Sequence, residues 1–249
     1  MSTERRIAIV TGGNGGLGTA ICAALHRQGR RVVAAYYPPE ESQAREWQQR
    51  LCQQGLDMAI LPADVSDFSS CQAMVREVEA SHGPVAILVN NAGITRDAMF
   101  KKMELTQWTA VLRTNLDSAF NMSKQVFGGM CERGFGRIVN ISSVNGQKGQ
   151  FGQANYSAAK AGLHGFTMAL AQEGARKGVT VNTVSPGYVG TDMVLAMPEE
   201  VRAKIVSQVP VGRLGQPDEI GRTVAFLVDE QAGFITGADF SVNGGLYMH

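Results

Sequence analysis

The segment Thr11-Gly-Gly-Asn-Gly-Gly-Leu-Gly18 constrains this chain more than any other. It follows a short apolar run, Ile7–Val10, and leads directly into a helical pattern with Leu17, Ile21 and Leu25 four residues apart. Glycines this dense serve backbone positions: they permit a tight turn and let main-chain N–H groups come close to a ligand. Gly13-x-Gly15-x-x-Gly18 satisfies a dinucleotide fingerprint, and the overlapping frame Gly12-x-x-x-Gly16-x-Gly18 a second version of it. Strand, turn and helix in that order place a pyrophosphate at a helix N-terminus, where free N–H groups and the helix dipole favour negative charge.

The rest of the chain continues the alternation. Further β-branched runs lie at Val32–Ala35, Met58–Leu61, Ile87–Asn90, Ile138–Ile141, Thr180–Val184 and Asp239–Val242, and between them apolar residues recur at helical spacing, as in Cys71, Val75, Val78 and in Ile220, Val224, Leu227. Runs that are almost wholly apolar are buried on both faces, which is the signature of a parallel sheet covered by helices. The expected fold is α/β: one Rossmann domain over residues 1–249, with a doubly wound seven-stranded parallel sheet and helices on both faces. The stretch from Gly187 to about Pro217 has no strand pattern and carries Pro198, Pro210 and Pro217, so it reads as small helices forming a mobile lid.

Composition closes off other classes. With 23 basic and 22 acidic residues the net charge is +1, without the basic excess that nucleic-acid binding needs. No apolar run approaches the roughly 18 residues of a membrane span, and the polar start Met1–Arg6 does not resemble a secretory signal. A cytoplasmic protein is expected. The four cysteines form no Cys-x-x-Cys pair, and His26, His82, His164 and His249 never fall at i, i+4, so no metal site is expected.

The end of the second strand bears on the dinucleotide. Readers of NAD place a carboxylate about 20 residues past the glycines to hold the ribose hydroxyls. Here the strand ends Ala35-Tyr36-Tyr37-Pro38, with no carboxylate until Glu40, and Arg45 lies within reach of a 2′-phosphate. The expectation is NADP.

Further along, Asn90-Asn-Ala-Gly93 ends the fourth strand, Asn115 lies in a helical stretch, Ser142-Ser143 follows the fifth strand, and Tyr156-Ser-Ala-Ala-Lys160 opens a helix running to about Lys177. Tyr156 and Lys160, at i and i+4, share one helical face. Reduction of a ketone needs a proton for the oxygen while hydride reaches the carbon. A tyrosine with a lysine cation one turn away, whose charge draws the phenol pKa down, suits that task. A nearby serine adds a hydrogen bond where negative charge develops.

On these residues, together with Pro186-Gly187, the chain resembles the short-chain dehydrogenase/reductase family along essentially its whole length. The resemblance implies that Asn115, Ser143, Tyr156 and Lys160 are catalytic: Tyr156 as acid/base, Ser143 orienting the carbonyl, Lys160 on the nicotinamide ribose, Asn115 organising a water-linked proton path. It implies a dinucleotide held by Gly12, Gly13, Asn14, Gly15, Gly16, Leu17 and Gly18, by Asp64 and Val65 at adenine, by Asn91, Ala92 and Gly93 at the ribose, and by Pro186, Gly187 and Val189 at nicotinamide, with Tyr156 and Lys160 also in contact. The stretches Asn140–Gln153, Ser185–Tyr188 and Gly237–Gly245 are similar to the NADP-dependent members that reduce short 3-oxoacyl thioesters. They imply an acyl-CoA substrate held by Asp97, Gln150, Phe151, Gln153, Gly187 and Tyr188 along with Ser143 and Tyr156, with Phe151 closing the acyl end. Carrier-protein thioesters are the alternative substrate, and a dinucleotide-binding regulator without catalysis is opposed by the intact Asn115, Ser143, Tyr156 and Lys160. Leu195-Ala-Met-Pro198 departs from the basic lid of such enzymes. The resemblance also implies a homotetramer, to which the apolar tail residues Leu246, Tyr247 and Met248 are suited.

Overall fold

The computed structural model describes residues 5–248; Met1–Glu4 of the polar start, and His249, lie outside the described residues. Seven strands form one sheet in the order β3-β2-β1-β4-β5-β6-β7, every neighbouring pair parallel. They are β1 Ile7–Thr11, β2 Arg31–Tyr36, β3 Ala59–Pro62, β4 Val85–Asn90, β5 Gly136–Ile141, β6 Val179–Pro186 and β7 Asp239–Val242. All seven expected runs are strands. The order reverses between β1 and β4, and the loops at the carboxyl ends of these two strands open the crevice where α/β folds hold ligands.

The apolar runs divide residue by residue between two layers. Ala8 and Val10 of β1 join one core with Ile21 and Leu25 of α1 (Gly16–Arg27), Trp47 and Leu51 of α2 (Glu41–Gln53) and Ile220, Val224 and Leu227 of the penultimate segment, Pro217–Leu227. Ile7 and Ile9 join the other, with Cys71, Met74, Val75 and Val78 of α3 (Phe68–His82). The helix Ser118–Arg133 adds Met122, Val126 and Met130 to this second layer. Successive strand side chains point to opposite faces, so a strand apolar throughout is what two cores require.

Between β4 and β5 the chain forms α4 (Leu105–Leu112), one wide turn over Arg113–Asp117, and α5 (Ser118–Arg133). After β5 come the short α6 (Val144–Lys148) and the long α7 (Ala154–Gly174), which ends in a tight turn at Lys177, where the expected helix also stops. A buried polar ladder fixes α7 on the sheet: Asn90 donates to Asn140 Oδ1 at 2.8 Å, Asn140 to Thr167 Oγ1 at 2.8 Å, and Thr183 to the same Thr167 oxygen at 2.8 Å. Beyond β6, residues 187–216 hold the short helices α8 (Asp192–Leu195) and α9 (Glu199–Val206), and Val189 pairs with Gly215 to close this excursion before α10 (Pro217–Leu227).

Candidate active site

The glycine turn is built for close approach. A Cβ on Gly13 would lie 2.6 Å from Ala34 Cβ, and one on Gly18 would collide with the Gly12 carbonyl oxygen. Gly15 is the N-cap of α1, and no side chain caps that helix. Its first N–H groups are therefore open to an anion, which fits a pyrophosphate. The loop after β4 is strapped to this turn: Asn91 Nδ2 donates to Thr11 O at 2.9 Å and Gly12 O at 3.1 Å, while Thr11 Oγ1 accepts from the N–H of Asn91 and Ala92. Asp64 turns its carboxylate onto Ser66, and the Val65 carbonyl accepts from Asn121, so both are fixed just past the end of β3. Gly187 packs on Asn243, where a Cβ would come within 2.8 Å of its Cα, and Val189 is buried at the base of the 187–216 segment, next to Tyr188, whose carbonyl accepts from Gly215. Thr191, not foreseen from sequence, lies against Gly16 and brings the 187–216 segment to the glycine turn.

Asn115 occupies the wide turn rather than a regular helix. In such a turn the bonds run i→i+5, and the carbonyl of Val111 is taken by the Asn115 side chain itself at 2.9 Å. Its amide also donates to Ile94 O at 2.9 Å, whereas Oδ1 is buried without a partner. That oxygen and Lys160 Nζ lie 2.5 and 3.5 Å from the place a Cβ of Gly93 would take. The bare glycine thus leaves a gap bordered by an unpaired acceptor and a cation.

Lys160 is buried and donates to Ile141 O at 2.8 Å; with no carboxylate to offset its burial, its pKa falls to about 8. Its Nζ stands 5.6 Å from the Tyr156 ring centre. The phenol pKa moves upward, against the expected direction: burial raises it, and the hydrogen bond with Ser143 only partly opposes this. The Asp97 carboxylate adds to the rise, and the Lys160 ammonium donates to the β5 carbonyl of Ile141.

Ser143 is the N-cap of α6, its Oγ accepting from Asn145 N–H at 3.1 Å. Asn145 Nδ2 donates to Gln153 Oε1 at 2.9 Å, and Gln153 Nε2 to Asp97 Oδ2 at 2.8 Å, so Asp97, Gln153 and Ser143 are brought together through a residue that sequence reasoning missed. Asn155 was missed as well. It is fully buried, bonds Arg96 O and Gln107 O, and accepts from Tyr156 N–H at 2.8 Å. Both look in the sequence like ordinary turn and helix asparagines. Gln150 accepts from Lys148 on the rim, and Phe151 is 83% exposed. Phe151 therefore does not close a pocket within this chain, because Gly149 and Gly152, both at positive φ, carry its loop outward. Arg45 is also elsewhere engaged: Glu41 Oε1 holds it at 2.6 and 3.0 Å. Among the described residues no cluster of metal-binding side chains occurs, and no helix is long and apolar enough to cross a membrane.

A parallel sheet with an uncapped glycine turn at its switch point, and beside it a tyrosine next to Ser143 and a buried lysine one turn apart, defines a dinucleotide-dependent oxidoreductase. The chain belongs to the short-chain dehydrogenase family, whose sequence model matches residues 6–202. It is 61% identical over 244 residues to an acetoacetyl-CoA reductase of Allochromatium vinosum and 57% identical over 244 residues to one of Cupriavidus necator, each match covering 98% of this chain and 99% of the relative. A 3-oxoacyl-[acyl-carrier-protein] reductase of Vibrio cholerae is 45% identical over 248 residues, covering both chains in full.

Proposed function

We propose that this chain reduces acetoacetyl-CoA to (3R)-hydroxybutyryl-CoA, the step that supplies polyhydroxybutyrate synthesis, in the cytoplasm and as a homotetramer. The observation that carries the reading is the convergence of Ser143, Tyr156 and the Asp97–Gln153–Asn145 chain beside the glycine turn. The relatives named acetoacetyl-CoA reductase support the substrate, being more similar than the carrier-protein reductase. The edge strand β7 and the tail after it support assembly, since a sheet edge invites pairing.

When bound, the nicotinamide dinucleotide supplies hydride to the ketone carbon. Gly12–Gly18, Asn91–Gly93, Asp64–Val65, Pro186–Val189 and Lys160 would hold it. Tyr156 Oη gives its proton to the ketone oxygen; burial keeps the phenol protonated, which suits reduction. Ser143 steadies the same oxygen with a hydrogen bond as charge grows there. Lys160 uses one of three donors on Ile141 O, leaving two for ribose and water. Asn115 Oδ1 accepts from a water in the Gly93 gap, through which the tyrosine proton is replaced. The lid formed by residues 187–217 covers the site, and Gln153 and Asp97 meet the thioester end.

For the cofactor, the carboxylate-free end of β2 is the argument for NADPH, and the Glu40 carboxylate on Asn14 is the stronger argument, for NADH. Consumption of either reduced dinucleotide with acetoacetyl-CoA, set against the acetoacetyl thioester of acyl carrier protein, tests the substrate. A higher kcat/KM with the CoA thioester is expected; a large preference for the carrier protein would move the chain to fatty-acid synthesis.

A further inference from the structure

We infer that Glu40 reads the adenosine ribose and selects the dinucleotide with a free 2′-hydroxyl, NADH, over NADPH. The inference rests on the glycine turn holding a dinucleotide and adds which one. Glu40 lies beyond the strand end, but the chain brings it back. Pro38 and Pro39 open a tight turn, Pro38–Glu40, closed by Glu40 N–H on Tyr37 O at 2.8 Å. Proline fixes φ near −65°, so this bracket aims the carboxylate at the turn after β1. There Glu40 Oε2 accepts from Asn14 Nδ2 at 3.3 Å.

Asn14 is flanked by Gly13, whose N–H bonds Ala35 O, and by Gly15, the uncapped start of α1. The other wall of this corner is the end of β3, where Ala63 N–H bonds Tyr36 O and Asp64 follows. A ribose joined to a pyrophosphate on α1 and to a base against Asp64 and Val65 has to cross this corner. It would meet Glu40 there.

Charge then decides between the cofactors. A ribose diol offers O–H donors to a carboxylate, whereas a 2′-phosphate brings nearly two negative charges and only acceptors at neutral pH. The cation expected to receive it, Arg45, is neutralised by Glu41 at 2.6 Å. From Tyr36 to Arg45 the chain is net negative, and the remaining carboxylate faces the turn. The absence of an acid at Tyr36 and Tyr37 misleads because the acid arrives three residues later by a rigid turn.

The test measures binding to the purified protein by titration calorimetry, with NAD⁺ and NADP⁺ as probes. NAD⁺ is expected to bind at least about tenfold more tightly, the gap shrinking as salt rises, because an exposed repulsion is screened over about 8 Å at physiological ionic strength. Glu40→Gln is expected to raise NADP⁺ affinity about tenfold, weaken NAD⁺ by less, and remove the salt dependence of the ratio; Glu40→Arg should invert the preference. Tighter NADP⁺ binding by the unaltered protein, or a ratio that Glu40→Gln leaves unchanged, overturns the inference while leaving the dinucleotide reading intact. Failure of both probes to bind overturns both.

Discussion

His164 Nδ1 stands 3.3 Å from the Asp239 carboxylate, a pair that joins the helix bearing Tyr156 and Lys160 to the edge strand β7. Through Nε2 the same ring meets Ser142 Oγ at 2.9 Å, and that hydroxyl donates to Lys160 O at 2.8 Å. Asp239 also accepts from Gln147 and Ser185, each at 2.7 Å. Side chains from β6, β7, α6 and α7, with Ser142 just past β5, thus meet in one polar clamp behind the site.

His164→Phe leaves Asp239 and Ser142 each short of a partner, and an unpaired, partly buried polar group costs about 1–3 kcal/mol. Scanning calorimetry is expected to show a drop of several degrees in Tm. Asp239→Asn and His164→Phe together should cost less than the sum of the two, since they share one contact. Full additivity would show that they do not.

Tyr156→Phe keeps the ring and removes the proton donor. Turnover is expected to fall roughly 10²–10⁴-fold, while dinucleotide binding by calorimetry changes little. Near-normal turnover would assign the acid elsewhere.

Lys160 gives a signed pH dependence. Its folded pKa, about 8, lies below the ordinary lysine value of 10.5, so between these values the unfolded chain binds more protons. Stability gained from this residue therefore rises with pH across that window. Tyr156, shifted upward, acts in the opposite sense only as pH approaches the ordinary phenol value and beyond. Urea unfolding at about pH 7, 8.5 and 9.5 should show this rise, and Lys160→Met should remove it.

Gly93→Ala places a methyl 2.5 Å from Asn115 Oδ1, where the polar gap now lies. Turnover is expected to drop about tenfold or more, on the scale of a lost proton path, with acetoacetyl-CoA KM changing less. Unaltered kcat would remove Asn115 and the gap from the proton path.

The sheet was legible because each strand carries its own evidence: β1 is buried at every position and apolar up to Thr11, and the two cores claim alternate residues. The expected site residues at the ends of β1, β4, β5 and β6 also meet, since a parallel sheet brings those ends to one edge. What failed was geometry between side chains. Arg45 reads as a free cation until Glu41 is seen four residues before it on α2. Phe151 reads as a pocket wall until its loop turns outward. Tyr156 and Lys160 share a face, but spacing does not reveal that Ile141 O takes the ammonium.

The wide turn at Arg113–Asp117 imposes a constraint of length rather than of identity. An i→i+5 turn holds one residue more than an α-helical one, and each helical residue advances about 100° and 1.5 Å. Deleting a single residue here would restore regular winding, rotate α4 against α5, and carry the Asn115 amide off Ile94 O while every strand stayed in place. Substitution scans would pass over this dependence, because it resides in how many residues span Val111 to Ser118 and not in which ones they are.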